Sequence, residues 1–183
     1  AAGVVYPAIH IAAQPITQLT APSVRFENLI LTLLLVCILT LQINRLHPEA
    51  AYTPLLLLGI PFLWPTIGIA LTEVPGLLFY SIHCGSMVAL LRNPSPPASS
   101  IPHLAIAGIS LGIAILTRQT YLVALGPLIC LYLLPWSRSS NWLIIASLSL
   151  ACTFWMFLIW GGLTPPSQQK TSGPLRLDHG LLG

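Results

Sequence analysis

The residues able to do chemistry in this sequence are few, and they stand at the edges of apolar runs. Arg118 and Gln119, in LTRQTYLV, separate two long apolar stretches. A guanidinium so placed can hold a phosphate through two parallel hydrogen bonds at headgroup depth. It can equally serve its own helix, stabilising the carboxyl end through the macrodipole and snorkelling to an interface. Glu73, in LTEVPG, has the same double character. Thr72 as N-cap, Glu73 in the first turn and Pro75 behind it make a helix start. A carboxylate stabilised there as the ion suits holding a hydroxyl or a cation better than taking a proton, so as a general base it is second choice. Lys170 follows the helix stop in WGGLTPPSQQKTSG, where it is either solvated or a second phosphate contact. His83 lies about 15 Å further along the Glu73 helix and reads as a hydrogen-bonded core histidine. His10 forms a polar stripe with Gln14 and Gln18 at helical spacing, and the Asp178–His179 neighbours are a weak acid/base signal. Cys37, Cys84, Cys130 and Cys152 fall singly in separate apolar runs, without metal-site or disulfide spacing, and read as small packing residues.

Composition sets the surroundings. The 183 residues are 55% hydrophobic and 6% charged with a mean hydropathy of +0.85, where a soluble domain carries roughly a quarter charged residues. This predicts an all-α, polytopic integral membrane protein, in which each charge costs several kcal/mol unless it finds water or a partner. The net charge of +3 implies nothing about nucleic acid, and no nucleic-acid partner is expected. The chain opens on AAGVVYP without an initiator methionine and stops at DHGLLG, and is read as an internal piece of a longer protein.

About six membrane helices are expected. Residues 1–26, divided by Pro7, Pro15 and Pro22, are too short in each piece to span and fit an interfacial segment at the end of an extracytoplasmic loop. A membrane domain over 27–163 follows. Its first span is 28–43, and its second element is a hairpin over 51–92 whose first arm, 54–71, Pro61 and Pro65 should kink. A proline-rich loop covers 92–102, and three further spans lie near 102–117, 121–136 and 142–162. Residues 164–183 begin another extracytoplasmic loop. Counting crossings brings Arg25, Glu27, Glu73, Arg118, Lys170, Arg176, Asp178 and His179 to one side. Arg45, Arg92 and Arg138 fall on the other, which the positive-inside rule makes the cytoplasmic one.

With those residues in view, the chain resembles the multi-spanning glycosyltransferases that use polyprenyl-phosphate sugar donors, the GT-C superfamily. VVYPAIHIAAQPITQLTAPSVRFENLI is similar to the end of that superfamily's first extracytoplasmic loop entering a span, and LTEVPGLLFY to its acidic helix start. LTRQTYLV resembles the RQTN stretch of the dolichyl-phosphate-glucose-dependent α-1,2-glucosyltransferases, with Tyr121 in place of the asparagine. WGGLTPPSQQKTSG takes the place of a later family loop but lacks its acidic residue. The resemblance implies transfer of a sugar from a lipid-linked donor to a lipid, glycan or protein acceptor, in a bacterial plasma membrane or the endoplasmic reticulum, on the extracytoplasmic face. It implies donor-phosphate contacts at Arg118, Gln119 and Lys170, and substrate contacts at Glu73, His10 and Tyr6. No cofactor or metal is assigned. The catalytic base is expected upstream of Ala1, so this stretch alone should be inactive, and Arg118→Ala should abolish transfer while leaving folding intact.

Two other classes fit the composition. A transporter would line a path with broken helices at Pro61 and Pro65 and place charges near mid-membrane. A non-catalytic membrane subunit would use every charge for topology.

Overall fold

The computed structural model describes residues 5–17, 21–59, 73–92, 97–134 and 140–160. They form helices, with no strand among them: α1 (Val5–Thr17), α2 (Ala21–Leu46), α3 (Glu73–Arg92), α4 (Pro97–Thr117), α5 (Leu125–Leu133) and α6 (Ser140–Trp160), joined in places by 3-10 turns at Pro48–Ala50, Thr53–Gly59 and Gln119–Ala124.

Prolines shape the boundaries differently from the sequence expectation. Pro22 lies in the first turn of α2 and Pro97 opens α4, where the amide that proline lacks has no helical partner to lose. Helix α2 therefore begins at Ala21, before the expected boundary at 26. The expected loop 92–102 is in part helix, with Pro102 inside α4. The expected span 121–136 is a 3-10 turn running into a nine-residue α-helix. In one continuous helix the Pro127 ring would strike the Val123 carbonyl; a helix starting at Leu125 puts the proline in its first turn instead. Leu134 then turns extended (φ −73°, ψ 125°) ahead of Pro135, as a residue before proline does. Of the expected arm 54–71, residues 54–59 belong to the 3-10 segment Thr53–Gly59, and Pro61 and Pro65 lie outside the described residues.

Side-chain contacts fix the helix directions. Gln42 donates Nε2 to the Ser81 carbonyl at 2.9 Å and Arg92 donates Nη1 to the Arg45 carbonyl at 3.3 Å, so α2 and α3 run parallel with their C-terminal ends together. His83 meets Ala107 while Gly76 meets Thr117, which makes α3 and α4 antiparallel. Gly108 lies against Leu148 and Gly112 against Cys152, so α4 and α6 are parallel, and α5 packs against α6. A Cβ on Gly112 would come within 2.6 Å of the Cys152 Cβ; the four-residue glycine spacing lets these backbones approach as in small-residue membrane helix pairs. The starts of α2 and α3 and the ends of α4 and α6 thus share one end of the bundle. Arg25, Glu27, Glu73 and Arg118 fall at that end, as counting crossings predicted, and Arg45 and Arg92 fall at the other. Arg138, Lys170, Arg176, Asp178 and His179 lie outside the described residues.

The core is Leu90, Leu104, Leu111, Ile115, Leu128, Trp142 and Ile145 with small residues between them, and α4 packs between α3 and α6. Polarity is turned outward-in. Asn28, Thr32, His83, Ser110, Thr117, Ser149 and Thr153 are buried while Phe26, Leu34, Leu41, Val123, Phe154 and Leu158 are exposed. Several interior hydroxyls are satisfied on their own helices, Thr32 on the Asn28 carbonyl at 2.8 Å and Thr153 on the Leu150 carbonyl at 2.8 Å, whereas the buried Thr40 Oγ1 has no partner. Among the described residues two helices, over Arg25–Leu46 and Glu73–Arg92, are long and apolar enough to cross a membrane. Shorter apolar segments cover Ile101–Thr117, Gln119–Leu133 and Ser140–Phe154.

Candidate functional site

Arg118 is a one-residue joint between α4 and the following 3-10 turn. Its N–H donates to the Ala114 carbonyl at 3.0 Å, closing the last turn of α4, and its own carbonyl accepts from the Tyr121 N–H at 3.1 Å. Between these two bonds the backbone is extended (φ −148°, ψ 129°). The side chain is thereby sent out of line with both helices. It forms an ion pair with Glu73, Nη2 against Oε1, tying the end of α4 to the first turn of α3. The two side chains are 42% and 32% exposed, so the pair opens to the outside.

Glycine sets how closely these ends meet. A Cβ on Gly76, three residues after Glu73, would lie 2.7 Å from both Thr117 Oγ1 and Tyr121 Cε2. Its absence lets Tyr121 lie across the start of α3. The Tyr121 ring is 5.3 Å from that of Tyr80 and tilted by 38°, and Tyr80 stacks on His83 at 5.9 Å. This aromatic file runs from the ion pair into the bundle. At its inner end His83 donates its Nδ1–H to the Ala107 carbonyl at 2.9 Å, the hydrogen-bonded core histidine that the sequence suggested.

The start of α2 completes the polar end. Gln42, which reaches α3, and Asn28 are separated by nearly four helical turns, which puts them about 40° apart on one face of α2. The parallel register sets Asn28 within about one turn of the level of Glu73. Asn28 is 1% exposed, and neither atom of its amide has a hydrogen-bond partner. The Oε2 of Glu73 is also buried without one. Glu27, next to Asn28, is buried as well.

The structure thus brings together two of the expected residues, Glu73 and Arg118, and puts Gln119 first in the adjoining 3-10 turn. Tyr6 and His10 fall on α1, which touches α2 and α4; their side chains, like all of Lys170 and Thr72, lie outside what is described. Sequence reasoning missed Asn28, although an amide in the apolar run FENLILTLLL was a visible signal. It treated Tyr121 only as a departure from the family stretch, where the structure gives the ring a packing partner in Gly76. It also took Arg118 as dispensable for folding. The ion pair gives the guanidinium a structural contact as well, since removing it takes the Arg118 counter-ion from Glu73, one of whose oxygens is already buried and unsatisfied. Among the described residues no three His, Cys, Asp or Glu side chains converge as a metal-ligand set. The four cysteines are unbridged, and Cys152 packs against Gly112.

No family model, curated protein or solved structure matches this chain.

Proposed function

We propose that this chain is the membrane-embedded part of a glycosyltransferase that moves a sugar from a polyprenyl-phosphate donor to an acceptor hydroxyl on the extracytoplasmic face. The observation that carries the reading is Arg118, held from both sides at a helix joint, paired with Glu73 and open to the outside, within the RQT stretch on which the family resemblance rests. In the reaction the acceptor oxygen bonds to the anomeric carbon while the bond from that carbon to the lipid phosphate breaks. The acceptor proton goes to a base, which the resemblance places before Ala1, and the electron pair leaves with the phosphate. Negative charge grows on that phosphate, and a cation already fixed beside it lowers the barrier without having to reorganise. Arg118 takes this role, with Gln119 and Lys170 as further phosphate contacts. Glu73 orients the guanidinium plane and meets the substrate together with Tyr6 and His10.

The reading includes a polytopic membrane domain of about six crossings, in a bacterial plasma membrane or the endoplasmic reticulum. Its support is the inverted polarity of the bundle, because an apolar exterior around a polar, hydrogen-bonded interior is stable in lipid and unstable in water. The 21 residues each of α4 and α6 also reach about 32 Å, the thickness of a hydrocarbon core. Charges at helix ends favour chemistry at an interface over a path through the bilayer.

Titrating undecaprenyl phosphate into the chain in nanodiscs, wild type against Arg118→Ala and Arg118→Lys, tests this. Loss of tenfold or more in Arg118→Ala with partial retention in Arg118→Lys is expected, since an ammonium keeps the charge and loses the planar fork. Equal affinity in wild type and Arg118→Ala would remove the phosphate role.

A further inference from the structure

Every buried polar group needs a partner, and at the ion-pair end the Asn28 amide and the Oε2 of Glu73 lack one. The Asn28 amide has two N–H donors and a carbonyl acceptor, all unmatched on a side chain that is 1% exposed. The buried Oε2 of Glu73 has acceptor capacity alone. Native proteins leave few such groups unmatched, because each one forfeits the water it gave up. They come from neighbouring helices that pack together, toward the same end of the bundle and within about one helical turn in register. Beside them the Glu73–Arg118 pair is partly open, which gives an occupant a way in.

The chemistry of the unmatched atoms selects the occupant. A phosphate has no donor for Glu73 Oε2 and would be repelled by the carboxylate. A bare cation would satisfy the carboxylate and leave the amide N–H groups without an acceptor. A hydroxyl both donates and accepts, so neighbouring hydroxyls on one ring can give a hydrogen to Oε2 while exchanging donor and acceptor with the amide. We infer that Asn28 and Glu73 Oε2 form a hydroxyl-reading subsite for a neutral polyol, placed beside the cation that takes the phosphate. This rests on the sugar-transfer reading for its biological sense and adds Asn28 as the residue that recognises the sugar. The rival occupant is an ordered water, which is enough to satisfy two such groups.

The test separates the two halves of a donor. Hexyl glucoside carries hydroxyls without phosphate, its permethylated form has lost every donor, and farnesyl phosphate carries phosphate without sugar. Each is titrated by calorimetry into the chain in nanodiscs, for wild type, Asn28→Leu, Asn28→Ala and Arg118→Ala, with melting temperatures measured alongside. Wild type should bind hexyl glucoside and at least tenfold less of its permethylated form. Both Asn28 variants should lose tenfold or more toward hexyl glucoside while keeping wild-type affinity for farnesyl phosphate. Absence of glucoside binding in wild type overturns the subsite, as does equal binding of the two glucosides. Asn28→Leu binding hexyl glucoside like wild type, with a raised melting temperature, overturns it in favour of water. If farnesyl phosphate fails to bind wild type, the phosphate reading falls and the glucoside arms still decide the subsite.

Discussion

Arg118 has two tasks that pull in different experimental directions: it ties α4 to α3 through Glu73, and in the proposed reaction it meets a phosphate. A single substitution confounds them. Arg118→Ala should lower stability by about 0.5–1 kcal/mol, the contribution of a partly exposed, solvent-screened ion pair, as well as weakening phosphate binding. Exchanging the charges separates the tasks. In Glu73→Arg/Arg118→Glu the attraction survives with its sign reversed, although arginine at a helix start and glutamate at a helix end both oppose the macrodipole. The double variant should therefore regain more than half of the stability lost in either single variant, by thermal melting in nanodiscs. Its affinity for undecaprenyl phosphate should stay at the level of Arg118→Ala, because the cation now stands on α3. Recovery of both properties would mean that position 118 does not matter to the ligand and only a charge pair does. Both residues were visible in the sequence, since charges were too scarce to overlook. Their pairing was legible only as a shared side, because an ion pair depends on a close approach that crossing counts cannot resolve.

At the scale of elements, that approach depends on Gly76. Alanine there would put a methyl 2.7 Å from Thr117 Oγ1 and from the Tyr121 ring. Thr117 is fully buried and cannot swing away, so the start of α3 must back off from the end of α4. Gly76→Ala should cost about 1–3 kcal/mol, as overpacking does, and weaken undecaprenyl phosphate binding without changing a charge. Gly126→Ala is the matched comparison. A Cβ on Gly126 meets nothing within 4 Å, and the helical propensity gained should stabilise the chain by about 0.5–1 kcal/mol with binding unchanged. Similar losses in both variants would show that helix propensity, not this contact, governs the region. The sequence carried the helices themselves, through their apolar runs, but misplaced their ends wherever proline was taken as punctuation. Pro22 and Pro97 sit in first turns, where the missing amide costs nothing, whereas Pro127 forces a restart because it falls beyond the first turn of an otherwise continuous run. One proline composition thus has opposite consequences, decided by position relative to a helix start that the sequence does not mark.

For the molecule as a whole, the two ends of the bundle make the membrane reading testable without knowing a ligand. His47 and Thr120 are both exposed and lie at opposite ends, His47 just beyond α2 beside the Arg45 end and Thr120 two residues after Arg118. If lipid covers the apolar flanks between them, the two positions face different compartments. The native cysteines Cys37, Cys84, Cys130 and Cys152 are first replaced by alanine. Then His47→Cys and Thr120→Cys are each labelled with a membrane-impermeant maleimide in sealed vesicles and again after lysis. One position should react before lysis and the other only after it, and the positive-inside rule assigns His47 to the cytoplasmic compartment because Arg45 and Arg92 cluster there. Reaction of both positions from the same side would place the bundle flat on a surface or in water. That result would leave Phe26, Leu41, Val123 and Phe154 exposed without lipid, and would withdraw the extracytoplasmic site along with the crossings. Opposite labelling with Thr120 cytoplasmic would keep the crossings and invert the face. The proposed chemistry would then draw on a donor presented in the inner leaflet, and the basic end of the bundle would lie outside, against the charge asymmetry that orients membrane helices.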